Sequence, residues 1–222
     1  MPAAGAPPPR PSPLGLTVLF MLIGGPLHPY EMQRRMRRWG KDQVVNLAQR
    51  AGLYKTIDRL RQAGLIAVQQ TERAERFPER TVYALTPAGL EMGRQWLIDM
   101  LAVPRNEFPR FPAALSFIFG LRPEEARPVL ERRARLLREQ LAALDAGLAG
   151  DPAGLPPRVT LLDSEFLRTM TAAELGWVEA VVAELRSGAL HWSADELAEA
   201  ARAFLPDAPR TALAPAAPEP QI

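Results

Sequence analysis

The spacing of apolar residues changes once, sharply, at Gly64, and that change limits what this chain can fold into. Before it, Leu53, Ile57 and Leu60 recur at i, i+4 and i+7, the period of a helix with one buried face. Gly64 suits the end of that helix, which spans 47–63. After it, Leu65 to Thr71 alternates and reads as a strand, and Thr81 to Leu85 reads as a second. The charged stretch 72–80 between them reads as a hairpin tip. Two helices precede this unit. One runs from Leu14 to Ile23 and is ended by Gly24-Gly25-Pro26. The other starts at Pro29, a good first helical residue, and stops at Gly40. Met32, Met36 and Trp39 share a face of it, which makes Trp39 a core candidate. His28 stands where a cap belongs. Thr86-Pro87 opens a fourth helix that runs to Val103.

Three helices followed by a two-stranded hairpin is the order of a winged helix-turn-helix, whose third helix enters the major groove of DNA. The expected class is mostly α with a small two-stranded β-wing: a winged helix-turn-helix plus a C-terminal helical dimerisation domain. The proline-rich break from Pro104 to Pro112 separates a DNA-binding domain at 14–103 from a helical domain at 113–205. Residues 1–13 and 206–222 are Pro/Ala-rich and are expected to be disordered.

In the second domain a short apolar segment, 113–119, precedes a long helix that ends near Leu148. Leu130, Ala134, Leu137, Leu141, Leu144 and Leu148 form a heptad seam along it. That seam fits a dimer contact or an internal one, and the period alone does not decide. The next helix, 158–186, is expected to bury Leu162, Phe166, Met170, Ala173, Trp177, Val181 and Leu185. Ser193 and Glu196 form a capping-box pattern for a last short helix.

Charge divides the same way. Residues 14–90 carry 12 Lys and Arg against 6 Asp and Glu, while residues 91–222 carry 14 against 19. A basic front half points to a polyanionic partner. Cysteine is absent and histidine occurs twice, which removes disulfides, thiolate chemistry and a multi-histidine metal site. No serine sits in a Gly-x-Ser-x-Gly elbow, and neither a Walker loop nor a Gly-x-Gly-x-x-Gly run occurs. The expectation is a non-enzyme with no cofactor and no metal. The longest apolar run, 14–25, is too short to span a bilayer and lacks a signal-peptide cleavage site. A cytoplasmic protein with no membrane association is expected.

The exposed side of the third helix carries groups that read base edges and phosphates. Gln49 and Arg50 near its start match adenine and guanine patterns, and Tyr54, Lys55, Thr56 and Arg59 add further donors. Arg73, Arg76 and Arg80 sit on the wing, where backbone and minor-groove contacts are made. Lys41 either meets DNA or only complements a helix dipole. Trp96 and Met100 on the fourth helix, with Trp177 of the second domain, are candidates for an aromatic effector pocket against a background of plain core packing. A winged-helix protein–protein module without DNA binding is the competing reading, and the basic stripe argues against it.

The chain resembles the PadR family of bacterial transcriptional regulators. The matching stretches are Leu27-His28-Pro29-Tyr30-Glu31-Met32, 52–60 (Gly52 to Leu60), Ala63-Gly64-Leu65-Ile66 and 82–89 (Val82 to Gly89). The long helical half is similar to the larger PadR subfamily, with its extended C-terminal domain. The resemblance implies a homodimer on a double-stranded DNA operator with two half-sites, usually repression, and release by a small planar or phenolic effector. It also implies a phosphate contact for Tyr54, since Tyr30 and Tyr54 fall at the family's recurrent tyrosines. Lys55 departs from the proline that many members carry there.

Overall fold

A computed structural model describes residues 9–45, 50–72, 80–149 and 157–204. The chain divides into two compact units, Met1–Asn106 and Glu107–Ile222.

In the first unit, helix α1 spans Pro13–Met21 and continues as a 3-10 turn over Leu22–Gly24. Ser12 caps it, its Oγ accepting from the Gly15 amide at 3.1 Å. Helix α2 covers Pro29–Arg38, with proline in the first turn. His28 caps α2 as expected: its Nδ1 accepts from the Tyr30 amide at 3.1 Å. Helix α3 covers Arg50–Gln62, β1 Ile66–Glu72, β2 Arg80–Leu85 and α4 Pro87–Ala102. The strands pair antiparallel, Ile66 opposite Leu85 and Val68 opposite Tyr83, with a bulge between Val68 and Gln70. A bridge between Leu27 and Tyr83, two backbone hydrogen bonds of 3.0 Å, ties the start of α2 to the wing.

Helix α1 packs on α3 and α4. The core gathers Val18, Leu19, Met32, Met36, Ile57, Leu60, Ile66 and Trp96, each at most 2 % exposed. Trp39 departs from its expected place in this core. It is the C-cap of α2, beyond the last helical turn, and is 55 % exposed.

The second unit begins with the short helix α5, Arg110–Leu115, and a 3-10 turn over Ile118–Gly120. Two long helices follow, α6 at Pro123–Leu148 and α7 at Leu162–Ser187, then α8 at Ala194–Phe204. The expected capping box of α8 is formed: the Ser193 amide donates to Glu196 Oε2 at 2.7 Å and the Glu196 amide to Ser193 Oγ at 3.2 Å.

The heptad seam is internal. Leu130, Ala134, Leu137 and the half-buried Leu141 pack against Leu175, Val178 and Val182 of α7. Arg186–Glu131, Arg138–Glu179 and Arg168–Asp145 bridge the two helices along one flank, and Arg133–Glu174 bridges the other. The ascending numbers of α6 meet the descending numbers of α7, so the pair is antiparallel. The expected buried face of α7 is overturned in part. Leu162, Phe166, Met170 and Trp177 are 48–65 % exposed, and the residues turned inward are Thr171, Leu175, Val178 and Val182.

Candidate nucleic-acid interface

Helix α3 has two sides because its apolar spacing allows only one to be buried. Leu53, Thr56, Ile57 and Leu60 turn inward, each under a tenth exposed. Tyr54, Lys55, Asp58, Arg59, Arg61 and Gln62 stand on the solvent side. Tyr54, Lys55 and Arg59 therefore lie where the sequence puts them. Thr56 does not: at 7 % exposure it belongs to the inner face and is withdrawn from the DNA-facing set. Its place three residues after Leu53 and four before Leu60 was the signal for this. Gln49, Arg73 and Arg76 lie outside the described residues. Arg50 opens α3 and Arg80 opens β2, and their side chains lie outside the described set.

The flanks of α3 differ. On one, Arg59 Nη2 donates to Ser12 Oγ at 3.2 Å, drawing the guanidinium toward the start of α1 while leaving it further N–H donors. On the other, Arg61 faces Asp58 at 3.9 Å. Asp58 also acts on Tyr83 of β2. Burial first, and this carboxylate second, push the Tyr83 hydroxyl above its ordinary value of 10.0, so it stays a neutral donor.

Between α2 and α3 lies a cleft of about 550 Å³. His28, Tyr30, Glu31, Arg34, Leu53 and Tyr54 are among its lining residues. Tyr30 and Tyr54 are 59 % and 49 % exposed, which leaves both rings open to a partner. Glu31 accepts from Arg35 at 2.9 Å and from Arg34 at 3.1 Å, and these contacts hold its carboxyl below the usual range. Two guanidinium groups thus answer one carboxylate beside the cleft. Tyr30 is legible in the sequence only by resemblance, and Arg34 was not among the expected contacts, although Glu31, Arg34 and Arg35 stand at the i, i+3 and i+4 spacing of helical ion pairs. The arrangement offers phenolic and guanidinium donors at the edge of the helix that a DNA groove would receive.

The aromatic effector pocket is altered. Trp96 is 2 % exposed and packs in the core of the first unit, where a β-carbon on Gly15 would come within 3.0 Å of its ring. No face of Trp96 is open to a ligand, so it leaves the effector set. Met100 is half-buried on α4. Trp177 of the second unit is 48 % exposed and stands edge-on to Phe111, with ring centroids 6.2 Å apart. Arg133 lies over the other ring of that pair, 3.5 Å from the Phe111 centroid. Among the described residues, no helix is long and apolar enough to cross a membrane.

Comparison with known proteins follows the same lines. Residues 18–94 match the transcriptional regulator PadR-like family. No curated protein matches the sequence. Among solved structures, Bacillus subtilis PadR in complex with operator DNA is similar at TM-score 0.63 and 20 % identity, covering 78 % of this chain and 98 % of that one. The same protein in complex with p-coumaric acid gives TM-score 0.62 at 19 % identity and the same coverage. The Vibrio cholerae virulence activator AphA gives 0.60 at 20 % identity, again with 78 % and 98 % covered. These likenesses establish the fold, a winged helix with a C-terminal helical region. Over residues 18–94 this chain is similar to the PadR-like family of transcriptional regulators, and it shares the fold of these solved structures.

Proposed function

We propose that the protein is a homodimeric, sequence-specific DNA-binding regulator that represses transcription and is released by a small planar or phenolic effector. The observation that carries this reading is the solvent side of α3, where Tyr54, Lys55 and Arg59 stand over a helix whose other side is locked into the core. A rigid helix carrying phenol, ammonium and guanidinium donors suits the major groove and its flanking phosphates. Gln49, Arg50, Arg73, Arg76 and Arg80 join the set on the sequence argument alone. Tyr30 and Arg34 extend it across the cleft, within reach of the backbone that flanks the groove. Binding of this kind needs no catalytic chemistry, and a cytoplasmic location suits it.

The effector reading draws on the p-coumaric acid complex of the Bacillus subtilis relative and on Trp177, whose half-exposed ring is suited to stacking on a planar ligand.

Selection of bound sequences from a random duplex pool tests the proposal. The expected product is an inverted repeat whose half-sites lie about one helical turn, roughly 34–36 Å, or a multiple of it apart. Recovery of no enriched sequence would overturn the reading.

A further inference from the structure

We infer that the cleft between α2 and α3 binds a free adenine mononucleotide, and that this ligand and duplex DNA exclude each other there. The site stands on the cleft itself; only the exclusion of DNA rests on the regulator reading above.

Gln33 points to a ligand. It lies on α2 beside the buried Met32 and Met36 and is itself 7 % exposed. Its carboxamide has no hydrogen-bond partner among the described residues, yet no fully buried side-chain nitrogen or oxygen among them lacks one. The two facts agree because both carboxamide atoms keep a little accessible surface. Gln33 lines the cleft of about 550 Å³, so that surface opens into it. A carboxamide drawn this far from water costs stability unless something pairs with it.

Its chemistry selects the occupant. A carboxamide presents a donor and an acceptor side by side, the pattern that pairs with N6 and N7 of adenine. Tyr30 and Tyr54 line the same cleft with open rings, and a base stacks well on such a ring. Leu53 adds an apolar wall. The cleft borders the first turn of α2, the positive end of that helix, and Arg34 stands beside it, which together suit a phosphate. Glu31 is the one carboxylate among the described lining residues, and the two guanidinium groups of Arg34 and Arg35 outweigh it. The volume lies within the roughly 300–1,000 Å³ usual for small-molecule sites.

Duplex DNA does not supply this occupant. Gln33 sits on α2, behind the helix offered to the groove, and a base reaches its carboxamide only by leaving the stack. A free nucleotide needs no such step. Seated against Tyr30 and Tyr54, it covers the hydroxyl groups that phosphates of the duplex would use.

Calorimetric titration of the full chain with adenosine 5′-monophosphate tests the site, with adenosine and ribose 5-phosphate as its two halves. The whole nucleotide should bind more tightly than either half. Gln33→Leu keeps the size of the side chain without its pair of hydrogen bonds. It should weaken the nucleotide by about tenfold or more, to the level of ribose 5-phosphate, and leave affinity for the selected duplex unchanged. Arg34→Gln, at an exposed position where folding is not at stake, should bring the nucleotide down to the level of adenosine and leave adenosine itself unchanged. The nucleotide should also displace labelled duplex from the parent chain, and at the same concentration not from Gln33→Leu. No saturable binding, equal affinity for ribose 5-phosphate, or undiminished binding in Gln33→Leu overturns the inference whatever the DNA does. A chain saturated with nucleotide that still holds its duplex overturns the exclusion. A chain that binds the nucleotide through Gln33 but enriches no DNA sequence sustains the site and overturns the regulator reading.

Discussion

Gly89 meets the backbone of Leu65 so closely that a β-carbon on it would stand 1.9 Å from the Leu65 carbonyl oxygen. The contact lies where α4 leaves the wing. Thr86 Oγ1 accepts from the Gly89 amide at 3.0 Å, and its one proton is shared between the carbonyls of Gly64 and Leu65, 2.8 and 3.0 Å away. The end of α3, the start of β1 and the cap of α4 are thereby fixed at one point. Gly89→Ala pushes backbone against backbone, which no rotamer change relieves. It should destabilise the first unit by about 3 kcal/mol, the upper part of the usual range for overpacking, read as a lowered denaturation midpoint. An unchanged midpoint would mean that α4 does not approach β1 this closely.

Much of this fold was legible in the sequence, and the reasons lie in particular residues. Pro29, Thr86 and the Ser193/Glu196 pair announce helix starts because their chemistry satisfies amides that a helix leaves unpaired. The seam of α6 was legible as a period, but its partner was not. Helix α7 carries two apolar stripes, and the stripe with the larger side chains is the exposed one. The buried stripe includes Thr171, a polar residue that weakens its signal. Periodicity says that a face is apolar and does not say what covers it. At the candidate site, Tyr54, Lys55 and Arg59 were visible as polar residues on a helical period, whereas Thr56 was misplaced by residue type alone. Tyr30 and Arg34 gained their place only when the fold brought α2 beside α3.

The seam itself can be tested one residue at a time. Leu137 is 7 % exposed and packs in the cluster between α6 and α7, while Leu136 beside it is 55 % exposed. Leu137→Ala should cost about 2–5 kcal/mol of unfolding free energy. Leu136→Ala should stay within about 0.5 kcal/mol of the parent. Equal losses at both positions would contradict the internal seam.

Stability should fall at alkaline pH through Tyr83. Its hydroxyl ionises above the ordinary value of 10.0 in the folded chain, mainly through burial, and at the ordinary value once unfolded. The neutral phenol therefore contributes stability that is whole below pH 10 and is lost as pH rises from there through the raised value. The tyrosinate absorbance of Tyr83 should appear later than that of an ordinary tyrosine. Tyr83→Phe should soften the loss of stability above pH 10, since the bridge to Leu27 is made by backbone atoms and persists. An equally steep loss in that variant would remove Tyr83 as its source.

Lys55 separates anchoring from reading. A lysine at an exposed position of α3 that neutralises one phosphate should, when changed to alanine, weaken all duplexes alike and flatten the salt dependence of binding by about one unit. Loss of preference among sequences at an unchanged salt dependence would give Lys55 a base-reading role instead.

The central claim is that the outer side of α3 and the basic first unit bind duplex DNA as a dimer through phosphate neutralisation. The direct measurement is the equilibrium constant for the selected duplex across a series of salt concentrations, followed by fluorescence anisotropy. With roughly 6–10 phosphates neutralised, the slope of log K against log salt should fall at about −5 to −9. A slope near zero would contradict the account, because no contact of this kind forms on DNA without releasing its counterions.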